Sequence, residues 1–128
     1  YDFIKWRSPF NHPTVMINKT KLLQVGGYIK YGKLEDYYLW VRMVSHGFEV
    51  ANLSDFLLYM RVDNGMYKRR GSYENLIYIY KLRRYLYKCH LIKKNEEILG
   101  DLIMLANLVM PSWIRKILYQ GILHKKEN

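Results

Sequence analysis

Gly32-Lys33-Leu34-Glu35-Asp36-Tyr37-Tyr38-Leu39-Trp40-Val41-Arg42-Met43 is the stretch on which the reading of this chain turns. Counting from Asp36, the positions three, four and seven residues on are Leu39, Trp40 and Met43. That spacing puts a carboxylate and then large apolar groups on one face of a helix. The helix is predicted over Asp36 to His46, with Gly47 as its stop and His46 suited to the negative helix end. The positive end of the helix dipole favours a negative charge in the first turn. A carboxylate beside an apolar wall is what general-base chemistry needs. First-turn acids also occur for purely structural reasons, and the spacing alone leaves both roles open.

Working outward toward the N-terminus, residues 1–12 read as a leading loop. Pro13 to Ile17 reads as a short buried strand. Asn18 or Thr20 can cap a short helix through Val25, which Gly26-Gly27 stop. A tyrosine-rich loop, Tyr28 to Leu34, follows, with Gly32 as its turn residue. On the other side, Phe48 to Ala51 and Phe56 to Val62 read as short strands joined by Asn52 to Asp55. Asp63-Asn64-Gly65 is a turn and Lys68-Arg69-Arg70 a basic cluster.

The last third changes character. Tyr73 to Leu91 reads as a long basic helix. Leu76, Ile77, Tyr80, Tyr87 and Leu91 fall near one face, and Lys81, Arg83, Arg84 and Lys88 on the others. Asn95 can cap a further helix from Glu96 to Val109, whose Ile98, Leu99, Leu102, Leu105, Ala106 and Val109 form an apolar face. Pro111 breaks it, and Ser112 can cap a third helix through Leu123. The boundary near Gly71 divides an α/β half-domain, residues 1–71, from a helical appendage, residues 72–128.

Composition narrows the function classes. The chain has 128 residues, half of them hydrophobic, which disfavours wholesale disorder. A net charge of +10 favours anionic partners: lipid headgroups, nucleic acid or phosphorylated substrates. Cys89 is the only cysteine, so no internal disulfide forms, which fits a reducing cytoplasm. The longest uncharged run, Leu102 to Ile114, is 13 residues and too short to span a bilayer. His12, His46, His90 and His124 lack metal-ligand spacing, and there is no Gly-rich phosphate loop.

The succession of Asn11-His12-Pro13-Thr14-Val15-Met16-Ile17, Gly26-Gly27-Tyr28, Glu35-Asp36-Tyr37-Tyr38-Leu39-Trp40-Val41-Arg42-Met43, Asn52-Leu53, Leu57-Leu58-Tyr59-Met60-Arg61-Val62 and Arg69-Arg70-Gly71 resembles the C-terminal half of a family 2 glycosyltransferase. These are inverting, GT-A enzymes of bacterial polysaccharide synthesis. The resemblance covers residues 7–75 well, and Met110-Pro111 with Leu118-Tyr119 fits the tails of such proteins. It implies that Asp36 is the catalytic base and that Glu35 orients the acceptor. Trp40 would stack on a sugar ring, unless it is a core tryptophan. Asn11 and His12 would contact donor or acceptor sugar, and a satisfied structural histidine fits His12 equally. Arg69 and Arg70 would approach the diphosphate or an anionic lipid carrier. Asp63, where many relatives have a histidine, would join a divalent metal, Mg²⁺ or Mn²⁺, as an oxygen ligand. It equally suits the turn before Asn64-Gly65. The loop Tyr28 to Leu34 would be a mobile cover for the acceptor.

The family's nucleotide-binding half with its Asp-x-Asp motif is absent from these residues. The resemblance therefore implies a C-terminal piece, inactive alone, whose metal binds mainly through the other half. Its uncovered apolar face should self-associate. The expected partners are a nucleotide-sugar donor, a saccharide or lipid-linked acceptor, and the inner face of the cell membrane, without nucleic acid. The alternative is a non-enzymatic basic module that binds nucleic acid or anionic membrane through its helices. In that case charge reversal at Arg83 and Arg84 should abolish function and Asp36→Asn should not.

Overall fold

A computed structural model describes residues 2–55, 57–59 and 74–109. The organising element is a helix of 11 residues, α2 (Glu35–Ser45). Six consecutive residues of it, Leu39 to Val44, are buried. A helix apolar nearly all round belongs between two packing partners, and α2 has them. Val41 and Val44 pack with Ile4, Leu82, Leu86 and Ile92 on one side. Leu39, Trp40 and Met43 pack with Val25, Phe10, Ile17 and Leu22 on the other. At its end Gly47, at φ 75°, lets its own N–H reach Val44 O at 3.0 Å and the Phe48 N–H reach Met43 O at 3.2 Å.

Upstream, α1 (Lys19–Gln24) starts where Asn18 Oδ1 accepts from the Lys21 N–H at 3.2 Å, as the capping pattern requires. It stops at Gly26 and Gly27, both left-handed. Two 3₁₀ turns, Asp2–Lys5 and His12–Thr14, precede it. Val15 to Ile17, Phe48 to Ala51 and Leu57 to Tyr59 carry no strand pairing, and no strand occurs among the described residues. Strand pairing needs a neighbouring extended chain on which to form a ladder.

Among the described residues two further helices follow, α3 (Glu74–Lys88) and α4 (Lys94–Val109). Residue His90, at φ 57°, turns the chain between them. The helix α4 begins two residues earlier than Asn95 capping implies. Glu96 Oε2 reaches back to the Lys93 N–H at 2.7 Å, the Glu half of a capping box.

The faces of these helices correct the periodicity reading. On α3 the buried residues are Leu82, Arg83 and Leu86, whereas Ile77, Tyr80 and Tyr87 are exposed. On α4 the apolar stripe of Ile98, Leu99, Leu102 and Leu105 faces outward, and fully buried Glu97 with Gly100 faces α3. The cause is an ionic joint. Arg83 donates to Glu96 O and Glu97 O, the latter at 3.1 Å, and lies 3.3 Å from Asp101 without hydrogen-bond alignment. Arg84 pairs with Glu97 and, at 3.3 Å, with Asp101, and Lys94 pairs with Glu97 at 2.7 Å. Charge reversal at Arg83 and Arg84 would therefore break the fold rather than report on an external anion.

Gly100 is what allows the joint. A Cβ there would occupy the place of the Arg83 guanidinium, which its hydrogen bonds hold. Gly100→Ala is expected to lower the thermal midpoint by roughly 5–10 °C, the scale of overpacking a tight contact. An unchanged midpoint would show that Arg83 can swing aside.

The same joint sets acid sensitivity. Burial opposes ionisation of Glu97, but its hydrogen bonds from Lys94 and Arg84 outweigh this and hold its carboxyl below the ordinary 4.5. A carboxyl depressed in the folded state contributes stability above its unfolded value and loses it as pH falls through the folded one. The urea midpoint is expected to be level from pH 7 to about 5 and to fall below about 4.5. In Glu97→Gln the midpoint should be lower at pH 7 and the acid slope shallower. Parallel slopes would remove Glu97 from the acid transition.

Candidate active site

The first turn of α2 opens on a cleft of about 440 Å³ lined by His12, Tyr28, Lys33, Glu35 and Asp36. Asp36 and Glu35 are both half-buried. The Oδ1 atom of Asp36 accepts from the Tyr37 N–H at 2.7 Å, which fixes the carboxylate at the helix start. Its Oδ2 has no protein partner among the described residues, so one acceptor oxygen is left for a ligand. Across the cleft, His12 Nε2 and Tyr28 Oη share a hydrogen bond of 2.9 Å, their rings 5.5 Å apart. Burial, and then the charge of Asp36, push the Tyr28 phenol up. The phenol stays protonated near neutrality, so the hydroxyl keeps its proton within the field of Asp36.

The loop bearing Tyr28 is held at both ends. At its start, Arg42 of α2 donates to Val25 O and, at 2.6 Å, to Gly27 O. Arg42 is only 4 % exposed and has no carboxylate partner among the described residues. Its guanidinium lies 4.7 Å over the Tyr38 ring. Burial lowers its pKa, and the neighbouring Tyr38 and Tyr85 raise it; an arginine keeps its charge through such shifts. The loop's far end is held by Tyr31, stacked on Tyr38 at 4.1 Å, and by Gly32. At φ 61° a Cβ on Gly32 would lie 2.5 Å from the Tyr78 ring.

Of the residues singled out from sequence, Asp36, Glu35 and His12 meet in the cleft. Asn11 stands beside it, and its backbone carbonyl caps the 3₁₀ turn by accepting from Thr14. Trp40 is placed in the core, 3 % exposed and edge-on to Phe10 at 5.5 Å, away from the cleft. Its indole N–H is buried without a partner among the described residues. Asp63, Arg69 and Arg70 lie outside the described residues. Among the described residues no three His, Cys, Asp or Glu side chains converge as a metal site.

Tyr28, Lys33 and Arg42 are the residues that sequence reading missed. For Arg42 a signal existed: a lone charge within the apolar run Leu39 to Val44. Tyr28 and Lys33 reach the cleft only through the path of the loop.

No family model and no solved structure matches the chain. Curated proteins do. A protein of Haemophilus influenzae described as an uncharacterized glycosyltransferase is 34% identical over 123 residues, 96% of this chain and 45% of the relative. An Escherichia coli UDP-Gal:alpha-D-GlcNAc-diphosphoundecaprenol beta-1,3-galactosyltransferase is 29% identical, over 96% of this chain and 45% of that protein. An amylovoran biosynthesis glycosyltransferase of Erwinia amylovora is 31% identical, over 94% of this chain and 45% of its own length. The chain therefore spans about half the length of the curated relatives it matches. Along almost its whole length, the chain is similar to part of a bacterial glycosyltransferase.

Proposed function

We propose that this chain is the acceptor-side, C-terminal half of an inverting glycosyltransferase of the GT-A, family 2 type. The whole protein moves a sugar from a nucleotide-sugar to a lipid-linked saccharide in polysaccharide synthesis, at the cytoplasmic face of the membrane. The observation that carries this is Asp36. It stands at a helix start with one carboxylate oxygen free, in a cleft with Glu35, His12 and Tyr28. The glycosyltransferase relatives, one named for a diphosphoundecaprenol-linked acceptor, supply the substrate classes. No described helix is long and apolar enough to cross a membrane, which suits peripheral attachment.

In this reading Asp36 Oδ2 takes the proton of an acceptor hydroxyl as its oxygen attacks the anomeric carbon. The bond from that carbon to the leaving diphosphate breaks from the opposite side, so configuration inverts. Glu35 and the Tyr28–His12 pair orient the acceptor by hydrogen bonding. The extended segments after the 3₁₀ turn and after α2 join an α/β sheet completed by the remainder of the protein. The ionic role of Arg83 and Arg84 within the fold weakens the case for a purely basic binding module.

The test is sugar transfer by the full-length protein, supplied with a nucleotide-sugar panel, Mg²⁺ or Mn²⁺ and membrane lipid extract, beside Asp36→Asn. Transfer by the wild type with an inverted anomer, and its loss in the variant, supports the reading. Equal turnover by both removes Asp36 from the chemistry.

A further inference from the structure

A second cleft, of about 270 Å³, is lined by Tyr31, Tyr38, Lys81, Arg84, Tyr85 and Lys88. Its walls hold three cationic groups and three phenols, and no carboxylate. Lys81, Arg84 and Lys88 follow one another on α3 at spacings of three and four residues. Like charges so placed repel and destabilise a helix. Only Arg84 is compensated, by Glu97 and Asp101. Lys81 and Lys88 are exposed and have no carboxylate partner among the described residues. The phenols are rigidly placed: Tyr31 stacks on Tyr38 at 4.1 Å, and Tyr38 meets Tyr85 edge-on at 5.3 Å. Cationic side chains lining a small open space match the charge of a phosphoryl group's oxygens.

We propose that this cleft is a diphosphate-binding site, with Lys81 and Lys88 as the charges that hold it and the tyrosine cluster as its floor. The two clefts share no lining residue but are neighbours along the chain. The loop Tyr28 to Leu34 contributes to both, and Glu35 and Tyr38, one in each lining, are three residues apart on α2 and so adjacent on its surface. A ligand carrying a sugar and a diphosphate can place the sugar at Asp36 and the diphosphate on α3. Two compounds present that chemistry, a prenyl-diphosphate acceptor and a nucleoside diphosphate. The inference rests on the glycosyltransferase reading only for this choice of source.

The test is calorimetric titration of the full-length protein with inorganic pyrophosphate in EDTA, which needs no turnover. Wild type should bind at one site. The Lys81→Gln/Lys88→Gln protein should bind at least about tenfold more weakly, because two charge-assisted hydrogen bonds to the phosphoryl oxygens are removed. A charge-matched control, Lys19→Gln/Lys93→Gln, should bind as wild type does. Pyrophosphate binding needs no turnover, so the site can stand even where the transfer assay fails. Farnesyl diphosphate and uridine diphosphate, titrated in turn, identify the source: whichever weakens in the Lys81/Lys88 variant uses the cleft. No binding by wild type, equal weakening in the control, or neither diphosphate responding to the variant overturns the proposal.

Discussion

Asp36→Asn in the full-length protein is expected to lower sugar transfer by about 100-fold or more, the usual scale for losing a general base. That corresponds to about 2.7 kcal/mol of transition-state stabilisation. The substitution isolates the proton acceptor. Asn keeps the shape of Asp, and its side-chain oxygen can still accept from the Tyr37 N–H as Asp36 Oδ1 does. It therefore retains the contact that seats the helix start and removes only the basic oxygen facing the cleft. The thermal midpoint should stay within a few degrees of wild type. Single-turnover rates with both substrates saturating are the measurement, because they separate chemistry from binding. A variant that unfolds early would indicate a structural acid, and one that transfers normally would mean the base lies elsewhere.

Arg42→Met is expected to produce the largest loss of stability, about 2–4 kcal/mol. Methionine keeps much of the stem's packing beneath Tyr38 but donates nothing. The carbonyls of Val25 and Gly27 then lose the guanidinium that both engage. Stranding a buried acceptor costs about 1–3 kcal/mol; the Val25 carbonyl is buried and the Gly27 carbonyl part-buried. Relief from burying a cation without a counter-charge offsets part of this. Arg42→Lys should fall between, since a single ammonium cannot reproduce a planar fork. Urea unfolding of the three proteins measures it. Because the glycine turn that Arg42 clamps leads straight into Tyr28, both variants should also weaken acceptor binding. A Met variant as stable as wild type would show that the two carbonyls find other donors.

The central helix was legible in the sequence because its signals agree. Two acids at the start, an apolar run and Gly47 at the end all point to one element, and α2 spans Glu35–Ser45. The Asn18 cap and the Gly26-Gly27 stop were legible for the same reason. Three of the five lining residues followed: Asp36 and Glu35 are fixed by the helix itself, and His12 was singled out with the segment before Pro13. The other two did not. Tyr28 and Lys33 reach the cleft through a loop whose course is set by Arg42, a residue of the next helix that no local pattern ties to the loop. The faces of α3 and α4 were misread for a different reason. Periodicity ranks residues by apolarity and sends Arg83, Glu97 and Asp101 to the surface. Mutual neutralisation around Gly100 makes them the interior, and leucines are left outside.

The joint between α3 and α4 also has a thermal signature. Apolar surface raises the heat capacity when it is exposed, whereas polar surface lowers it. Parting α4 from α3 uncovers Arg83, Glu97 and Asp101 more than it uncovers leucine, so it carries little heat-capacity change. Its free energy then runs nearly straight with temperature instead of curving. Cooling weakens the packing around Leu39 and Leu82, as it does all hydrophobic burial, but spares this joint. Warming lowers the cost of keeping its charges out of water. The helix bearing Lys81 and Lys88 thus keeps its outer brace at both cold and warm extremes, where the core beneath it is weakest.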